Sequence, residues 1–395
     1  METLRRNIRD LDFTTFGVLL LLAVCGTVAV DAASSGPHHI GVPSHIMTKQ
    51  IGYEVFGWLM MFAATLFDYR LLRRVRWWVY GASILGLLAV FGATPVNGAH
   101  SWINLGVTTF QPSELAKVTM ILLIAAFMAG VDESEVPDYR LRSVWPIAPM
   151  FVVPFALTFK EPALGQALVM LAIVMTMYTV FAKKSHFIVV MFVVVVVVVG
   201  FTVLATMFPV QSTDFINNVL VKHHILKSYQ SDRITTWLDP NWDTNNTGYN
   251  VHMAQITIGS GEVFGQGFLN GIGSKGGWVP NQWTDYIYSA VGEEFGFVGS
   301  AVLILLFLVL IYRLIKVARS AGDRFGMYIV IGIIGMFSFQ VFENIGMDMY
   351  LSPSTGIALP FITYGGTSLV IDYIAVGVAL SVGLRRRKMR FDNAL

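Results

Sequence analysis

The chain has 395 residues, of which 55% are hydrophobic and only 13% are charged. Soluble globular proteins carry about 25% charged residues, so this composition argues against a soluble protein and predicts a polytopic membrane protein. The single cysteine, Cys25, excludes an intramolecular disulfide framework and any cysteine-based zinc or iron–sulfur site. The net charge of +2 says little about function, but the positions of the charged residues along the chain are informative.

Ten segments are apolar and long enough to be read as helices crossing roughly 30 Å of hydrocarbon. They lie at about 13–33, 49–68, 77–95, 113–130, 145–159, 163–181, 186–208, 287–312, 325–346 and 356–384. The expected fold class is therefore all-α, with about ten transmembrane helices. We expect a single integral membrane domain over residues 1–395.

Lysine and arginine are unevenly distributed between the segments that join these spans. With the N-terminus in the cytoplasm, 20 of the 27 fall in cytoplasmic segments, six fall outside and Lys117 lies within a span. This asymmetry follows the positive-inside rule and predicts that both termini are cytoplasmic. The long segment 209–285, between spans seven and eight, is then external and is expected to carry part of the active site. No nucleotide-binding motif is found, so ATP hydrolysis is not expected.

Glu114 and Lys117 are two ionisable residues at the start of the fourth span. Their i, i+3 spacing puts both on one helix face, and an ionisable group inside a span costs at least about 2.5–3.5 kcal/mol unless it is paired or hydrated. Ser113 is the expected N-cap of this helix. Two interpretations stay open: a structural ion pair, or a water-accessible cavity at the outer leaflet where Lys117 meets an anionic head group.

Three carboxylates lie at or near the start of the eighth span: Asp285, Glu293 and Glu294. A partly desolvated carboxylate at a membrane boundary can have a raised pKa and act as a general base, which favours a catalytic role for Asp285. The alternative is that Asp285 is only the N-cap of the helix. Glu293 and Glu294 are expected to be buried partners of lysine or backbone groups.

Glycine and proline mark two further segments. Five glycines between residues 259 and 271 allow close backbone approach, and phosphate binding is the weaker interpretation of them. Arg233, the single external arginine, is the better candidate for contact with a diphosphate. In the last span, proline and glycine interrupt residues 356–368, which either line a cavity, re-enter the membrane or pack through their glycines.

Four strings in this order resemble the SEDS family of RodA, FtsW and SpoVE: SWINLGVTTFQPSELAK, AQITIGSGEVFGQGFLNG, TDYIYSAVGEEFGFVGS and NIGMDMYLSPSTGIALPFITYGGTS. The resemblance runs from about residue 90 to 385. It implies a peptidoglycan glycosyltransferase that polymerises lipid II on the outer face of the bacterial cytoplasmic membrane and releases undecaprenyl diphosphate. It also implies complex formation with a class B penicillin-binding protein, a transpeptidase. Membrane lipids are expected as surroundings, and nucleic acid is not expected as a partner.

The resemblance assigns roles to five residues. Asp285 occupies the position of the family's essential aspartate and is the expected catalytic general base of an inverting reaction. Glu114, Lys117, Arg233 and Trp102 match family positions and are expected to bind substrate. No organic cofactor is expected, and a divalent cation, Mg²⁺ or Mn²⁺, is left open.

The chain departs from the family pattern at three places. One is Trp278-Val279-Pro280, where the family has a leucine-proline string, and the other two concern acidic residues. Ala163 replaces the acid of a Pro-Asp-Leu-Gly string, and Glu161 is a candidate to stand in for it. Asp348 adds an external acid where family members have apolar residues.

The short tail after the last span favours a RodA-like role in cell-wall elongation and cell shape. The alternatives are an FtsW- or SpoVE-like paralogue for division or sporulation, or a lipid II flippase.

Overall fold

The computed structural model describes most of the chain as helix. The described residues are 12–36, 41–93, 101–104, 106, 109–134, 145–161, 163–182, 200, 207, 221–222, 228–238 and 248–385. The first helices are α1 (Phe13–Ser34), α2 (Ile46–Leu66), α3 (Leu72–Val90), α4 (Pro112–Asp132), α5 (Ile147–Lys160) and α6 (Leu164–Phe181). They are followed by α7 (Ser228–Leu238), α8 (Tyr249–Ser260), α9 (Ile272–Gly276), α10 (Ile287–Arg319), α11 (Arg324–Asp348) and α12 (Gly366–Leu384).

A two-stranded hairpin precedes α4. Its strands, β1 (Ile103–Asn104) and β2 (Thr109–Phe110), pair antiparallel with Ile103 opposite Phe110. The Thr367 hydroxyl of α12 donates to the main-chain oxygen of Thr109 over 2.6 Å and so fixes the hairpin to the last helix.

Six of the described helices are long and apolar enough to cross a membrane: α1, α4, α6, α10, α11 and α12. The segments Ile46–Leu66 and Tyr69–Val90 pass the same test together but meet at an angle of 81°, and α5 is a shorter apolar helix. The predicted all-α class is therefore confirmed. The predicted seventh span, 186–208, lies outside the described residues, so the count of ten stays a prediction.

Helix α11 lies in the interior of the helical assembly, packed against α4, α6 and α10. Apolar residues are buried on all of its sides, as is typical of a helix surrounded by other helices. Helices α2 and α12 form another close pair. A side chain at Gly57 would collide with the ring of Tyr373, so small residues set the approach of these two helices.

The predicted last span begins later than expected, because helix α12 starts at Gly366 and not at residue 356. The preceding segment 349–365 is irregular but largely buried, which confirms the predicted break in the helix. Its main-chain groups bond within the protein. Leu359 N–H donates to the Thr363 hydroxyl over 2.7 Å, and Tyr364 N–H donates to the carbonyl of Trp283 over 3.0 Å. Irregular backbone at membrane depth requires this kind of protein cover.

The glycine-rich segment 261–277 docks onto the first turns of α10. Helix α10 is broken at Gly296, where φ is +64°. A side chain at Gly265 would collide with the backbone of Glu294, and the Gln266 N–H donates to the Glu293 carbonyl over 2.9 Å. These glycines therefore serve close packing against α10, the interpretation that the sequence already favoured over phosphate binding.

Candidate functional site

Asp285 lies two residues before α10 and is held there by α11. The N-cap of α10 is Tyr286, so the alternative that Asp285 is the N-cap is wrong. The side-chain amide of Asn344 donates to the main-chain oxygen of Asp285 and to that of Ile357, each over 2.8 Å. One α11 side chain thus fixes the backbone of Asp285 against the irregular segment 349–365.

Arg233 and Asp285 come together at Gly356. A side chain built at Gly356 would place its Cβ 3.1 Å from Asp285 Oδ2 and 3.7 Å from Arg233 Nη1. Gly356 also has φ of +72°, a conformation that other residues rarely adopt. A carboxylate and a guanidinium that are 52 positions apart in the chain therefore meet over one glycine.

The surroundings of Asp285 favour its protonated form. Burial raises the pKa of the Asp285 carboxyl above its ordinary value, while the Arg233 guanidinium and the Thr284 hydroxyl oppose this rise. The Asp285 side chain nevertheless stays partly exposed. A reachable carboxylate with raised proton affinity has the properties of a general base.

A second acid lies close to Asp285. The sequence marked Asp348 as an unusual external acid, and the structure buries it completely at the end of α11. The charge of Asp285 acts on Asp348, and the charge of Asp348 acts on Tyr286.

Glu114 and Lys117 form a buried ion pair in α4, as one of the two interpretations expected. Lys117 Nζ lies 2.8 Å from Glu114 Oε2, with side-chain exposures of 0% and 1%. The Gln166 amide donates to Glu114 Oε1 over 2.7 Å. Lys117 Nζ has no aligned hydrogen-bond partner among the described residues, so it keeps donor capacity.

The predicted cap at Ser113 is wrong: α4 begins at Pro112, with Gln111 as the N-cap.

Asp372 on α12 is electrostatically coupled to this ion pair and was not singled out in the sequence. It is buried, and the charges of Glu114 and Lys117 both act on it. The signal was present in the sequence, because an ionisable residue inside an apolar span calls for an explanation. With two carboxylates and one ammonium group, the cluster requires a further proton or cation to be neutral.

Residues 355–357 link the surroundings of Asp285 to the start of α6. Gly165, at the start of α6, packs closely against Thr355 and Ile357, and its neighbour Gln166 binds Glu114. Gly356, between those two residues, faces Asp285 and Arg233. One short stretch of irregular chain therefore contacts Asp285 and Arg233 directly and packs against the start of α6, whose Gln166 binds Glu114.

Trp102 lies directly before β1 and is partly buried. The hairpin that follows it is attached to α12, the helix that carries Asp372. The expected role of Trp102 in substrate binding stays a prediction.

Glu161 follows α5 and is completely buried, and neither of its carboxyl oxygens has a hydrogen-bond partner among the described residues. Burial raises its pKa to about 8. Ala163 is the N-cap of α6 and provides no side-chain cap.

Glu293 and Glu294 anchor the docked loop, which confirms their prediction as buried partners of backbone groups. Glu293 accepts from the N–H groups of Gly273 and Ser274 over 2.7 and 2.9 Å, and from the Ser274 hydroxyl over 2.6 Å. Glu294 accepts from the Leu269 N–H over 2.9 Å.

The divalent cation that the sequence left open has no matching donor set in the part of the chain that the structure describes. No group of three or more histidine, cysteine or acidic side chains is arranged there to hold a metal ion. The positive charges considered for the reaction are therefore those of side chains.

Comparison with known proteins matches the FtsW/RodA/SpoVE family over nearly the whole chain. The sequence model of the FtsW/RodA/SpoVE family, described as "Cell cycle protein", matches residues 12–388. The chain is 31% identical to a probable peptidoglycan glycosyltransferase FtsW of Geobacter sp. (strain M18), covering 97% of this chain and 99% of that protein. It is 29% identical to the peptidoglycan glycosyltransferase RodA of Treponema pallidum, covering 96% and 99%. Because both branches match similarly, these identities do not separate FtsW from RodA.

Solved structures share the fold. One, titled "Structural coordination of polymerization and crosslinking by a peptidoglycan synthase complex", has a TM-score of 0.74 at 27% identity, covering 96% of this chain and 99% of that chain. The rod shape determining protein RodA of Thermus thermophilus has a TM-score of 0.66 at 25% identity, covering 96% and 98%. With a family match over residues 12–388 and a common helical membrane fold, this integral membrane protein belongs to the FtsW/RodA/SpoVE family.

Proposed function

We propose that this protein is a peptidoglycan glycosyltransferase that polymerises lipid II on the outer face of the bacterial cytoplasmic membrane. The observation that carries the proposal is the meeting of Asp285 and Arg233 over Gly356. It occurs in a chain whose relatives are named for this activity. A base next to a cation, at the predicted external side, suits transfer of a sugar from a diphosphate carrier.

In the proposed reaction Asp285 takes the proton from the 4-hydroxyl of the acceptor's GlcNAc. The hydroxyl oxygen attacks the anomeric carbon of the donor MurNAc and displaces undecaprenyl diphosphate. Inversion converts the α-linked diphosphate into a β-1,4 bond, so one base suffices and no covalent sugar–enzyme intermediate forms.

Arg233 and Lys117 supply positive charge for the leaving diphosphate in this proposal. Arg233 meets Asp285 at Gly356, and Lys117, paired with Glu114, keeps unused donor capacity. Fixed cations at a developing negative charge lower the barrier because they need no reorganisation during the reaction. Glu114 orients Lys117 through their 2.8 Å contact.

The proposal includes a partner and a biological role. A class B penicillin-binding protein is the proposed partner, since a solved structure with the same fold comes from a complex described as coordinating polymerization and crosslinking. We favour a RodA-like role in cell-wall elongation and cell shape over division or sporulation. The part of the external segment 209–285 that bears Arg233 and Asp285 contributes to the proposed site.

The test is polymerisation of lipid II by the purified protein with its cognate class B partner. We expect Asp285→Ala and Asp285→Asn to reduce the rate by about 10²-fold or more, because loss of a general base typically costs 10²–10⁴. Glycan strands are measured by gel electrophoresis of labelled product. Glu133→Gln, which removes an exposed acid paired with Arg73, is the matched control and should keep full activity.

Undiminished strand synthesis by the folded Asp285 variants would contradict the general-base assignment. If wild-type protein made no strands yet moved lipid II across vesicle membranes, the flippase alternative would replace this proposal.

A further inference from the structure

Helix α11 ends in a turn whose left-handed residue is usually glycine but here is tyrosine. The N–H of Leu351 donates to the carbonyl of Gly346 over 2.7 Å, and the N–H of Tyr350 donates to that of Met347 over 3.3 Å. This is a Schellman motif, in which Tyr350 has φ of +65°. A tyrosine in this conformation is strained, because its Cβ crowds the backbone. Glycine would end the helix at lower cost, so the Tyr350 side chain calls for a separate reason.

The hydroxyl of Tyr350 reaches helix α7. It donates to the main-chain oxygen of Thr236, which lies about one turn after Arg233 in the same helix. Residues one turn apart in a helix keep a fixed relative position, because the hydrogen-bonded backbone joins them. A bond at Thr236 therefore restrains the backbone that carries Arg233.

The ring of Tyr350 packs against a small buried cluster that includes the neighbour of Asp285. The cluster consists of Val251, Ala254, Val279 and Tyr286. Tyr286 directly follows Asp285 in the chain. Tyr350 therefore connects α7, through its hydroxyl, to the packing around the candidate base, through its ring.

The segment that begins with this turn also carries the point where the two charges meet. Tyr350 lies near the start of segment 349–365, and Gly356, further along it, faces both Asp285 and Arg233. An arginine side chain is long and has several rotatable bonds, so the place of its guanidinium depends on where its backbone is held. The bond from Tyr350 holds that backbone to the same segment.

We propose that Tyr350 is a positioning residue for Arg233: its hydroxyl holds α7 to the irregular segment, so that the guanidinium stays at Gly356, where it meets Asp285 and serves the leaving diphosphate. The inference rests on the proposed function. It gives the strained turn at the end of α11 a purpose that helix termination alone does not provide.

The first test measures the rate of lipid II polymerisation against pH for wild type and Tyr350→Phe, each with the class B partner. Phenylalanine keeps the ring and removes only the hydroxyl. Burial raises the pKa of the Asp285 carboxyl and the Arg233 charge opposes this rise, so a displaced Arg233 should raise the pKa further. We expect the midpoint of the acidic limb to move to higher pH by about 0.5 unit. The plateau rate should fall about 10-fold, because a small displacement of a catalytic group is costly.

Two other ionisable groups near Asp285 are unchanged in this variant. Asp348 of α11 is an acid on which the charge of Asp285 acts, and Tyr286 is uncharged at neutral pH because burial raises its pKa. A shifted midpoint in Tyr350→Phe therefore reports the position of Arg233.

The second test measures binding of undecaprenyl diphosphate to the purified complex for wild type, Tyr350→Phe, Arg233→Ala and the double variant. We expect about 5-fold weaker binding in Tyr350→Phe than in wild type, since a displaced guanidinium loses part of its charge-assisted bonding. In the Arg233→Ala background, Tyr350→Phe should cause no further loss, because two changes that act through one group are not additive.

Tyr80→Phe is the matched control. The Tyr80 O–H donates to the main-chain oxygen of Met150 over 3.0 Å and joins α3 to α5. This variant also loses one hydroxyl bond between helices, so its unfolding temperature should resemble that of Tyr350→Phe while its pH profile and product affinity stay as in wild type. Tyr350→Gly relieves the left-handed strain and also lacks the hydroxyl, so it should show the same raised midpoint as Tyr350→Phe.

An unchanged or lowered midpoint in folded Tyr350→Phe and Tyr350→Gly would overturn the inference. So would equal losses of product affinity from Tyr350→Phe in the wild-type and Arg233→Ala backgrounds, since Tyr350 would then act independently of Arg233. Both results are distinct from failure of the proposed function, which would appear as full activity in the Asp285 variants.

Discussion

Glu161 is a buried acid without a compensating partner among the described residues. It is fully buried, and neither carboxyl oxygen has a hydrogen-bond partner among the described residues. Burial raises its pKa to about 8, whereas an unperturbed glutamate titrates near pH 4.3. At neutral pH the folded protein therefore holds a proton on Glu161 that the unfolded chain releases.

This difference predicts how Glu161→Gln changes the dependence of stability on pH. Below about pH 4 both states of the wild type are protonated at this residue and it has no pH-dependent effect. Between about pH 4 and pH 8 the unfolded state binds fewer protons, so wild-type stability falls as pH rises through this window. Glutamine does not titrate. We expect the unfolding temperature of Glu161→Gln to exceed that of wild type by a larger margin at pH 8 than at pH 5. Parallel curves in detergent at the two pH values would contradict this.

Single residues show what spacing in the sequence can and cannot predict. The pairing of Glu114 with Lys117 follows from i, i+3 spacing and is present in α4. The meeting of Arg233 with Asp285 depends on where α7 and segment 349–365 lie, which no local pattern specifies. Asp372 was recognisable as an acid inside an apolar span, but the groups that act on it, Glu114 and Lys117, are on a different helix and could not be named from the sequence.

At the scale of elements, Glu293 joins the docked loop to α10. Its carboxylate satisfies two backbone N–H groups and one hydroxyl of the glycine-rich segment. Glu293→Ala would leave these donors without their acceptor in a buried environment. We expect the free energy of unfolding to fall by about 2–4 kcal/mol, because bonds to charged groups are worth about 1.5–3 kcal/mol each and several are lost together.

Hydrogen exchange locates this effect. Amides of residues 261–277 should exchange faster in Glu293→Ala, while those of α4 and α11 keep their protection. Glu262→Gln, an exposed acid in the same loop, is the matched control and should behave as wild type. Equal protection of the loop in Glu293→Ala would show that the glycine packing alone holds it.

Apolar runs predicted the long helices well, because a helix surrounded by lipid or by other helices needs apolar side chains along its length. They predicted the start of the last helix less well, since residues 356–365 are as apolar as a span but are irregular. Proline and glycine marked the break in the helix. The hydrogen-bond partners of the irregular main chain could not be predicted, because Trp283 and Asn344 lie elsewhere in the chain and the bond to Thr363 depends on the turn itself.

At the scale of the whole molecule, the distribution of lysine and arginine makes a topological prediction. Lys275 lies on the loop docked against the start of α10, and Ser320 directly follows the end of that helix; both are exposed. Some 23 residues of α10, from Phe297 to Arg319, separate the two regions, or about 35 Å at 1.5 Å per residue. The positive-inside rule places Lys275 outside and Ser320 in the cytoplasm.

Cysteine labelling tests this orientation. In a Cys25→Ala background, a membrane-impermeant maleimide added to intact cells should label Lys275→Cys but not Ser320→Cys. Permeabilisation should make Ser320→Cys reactive. The cysteine-free protein gives the background signal. Labelling of Ser320→Cys in intact cells would reverse the predicted topology.

The irregular segment 349–365 also constrains how the protein is built. Its main chain bonds to Asn344 of α11 and to Trp283 before α10, and it packs against Gly165 at the start of α6. None of these partners is available until the helices that carry them have been inserted and have come together, and contacts so distant in sequence form late because loop closure must precede them. The place where Asp285 meets Arg233 is therefore a late product of assembly, so a newly inserted chain is inert until its last helices have joined the rest.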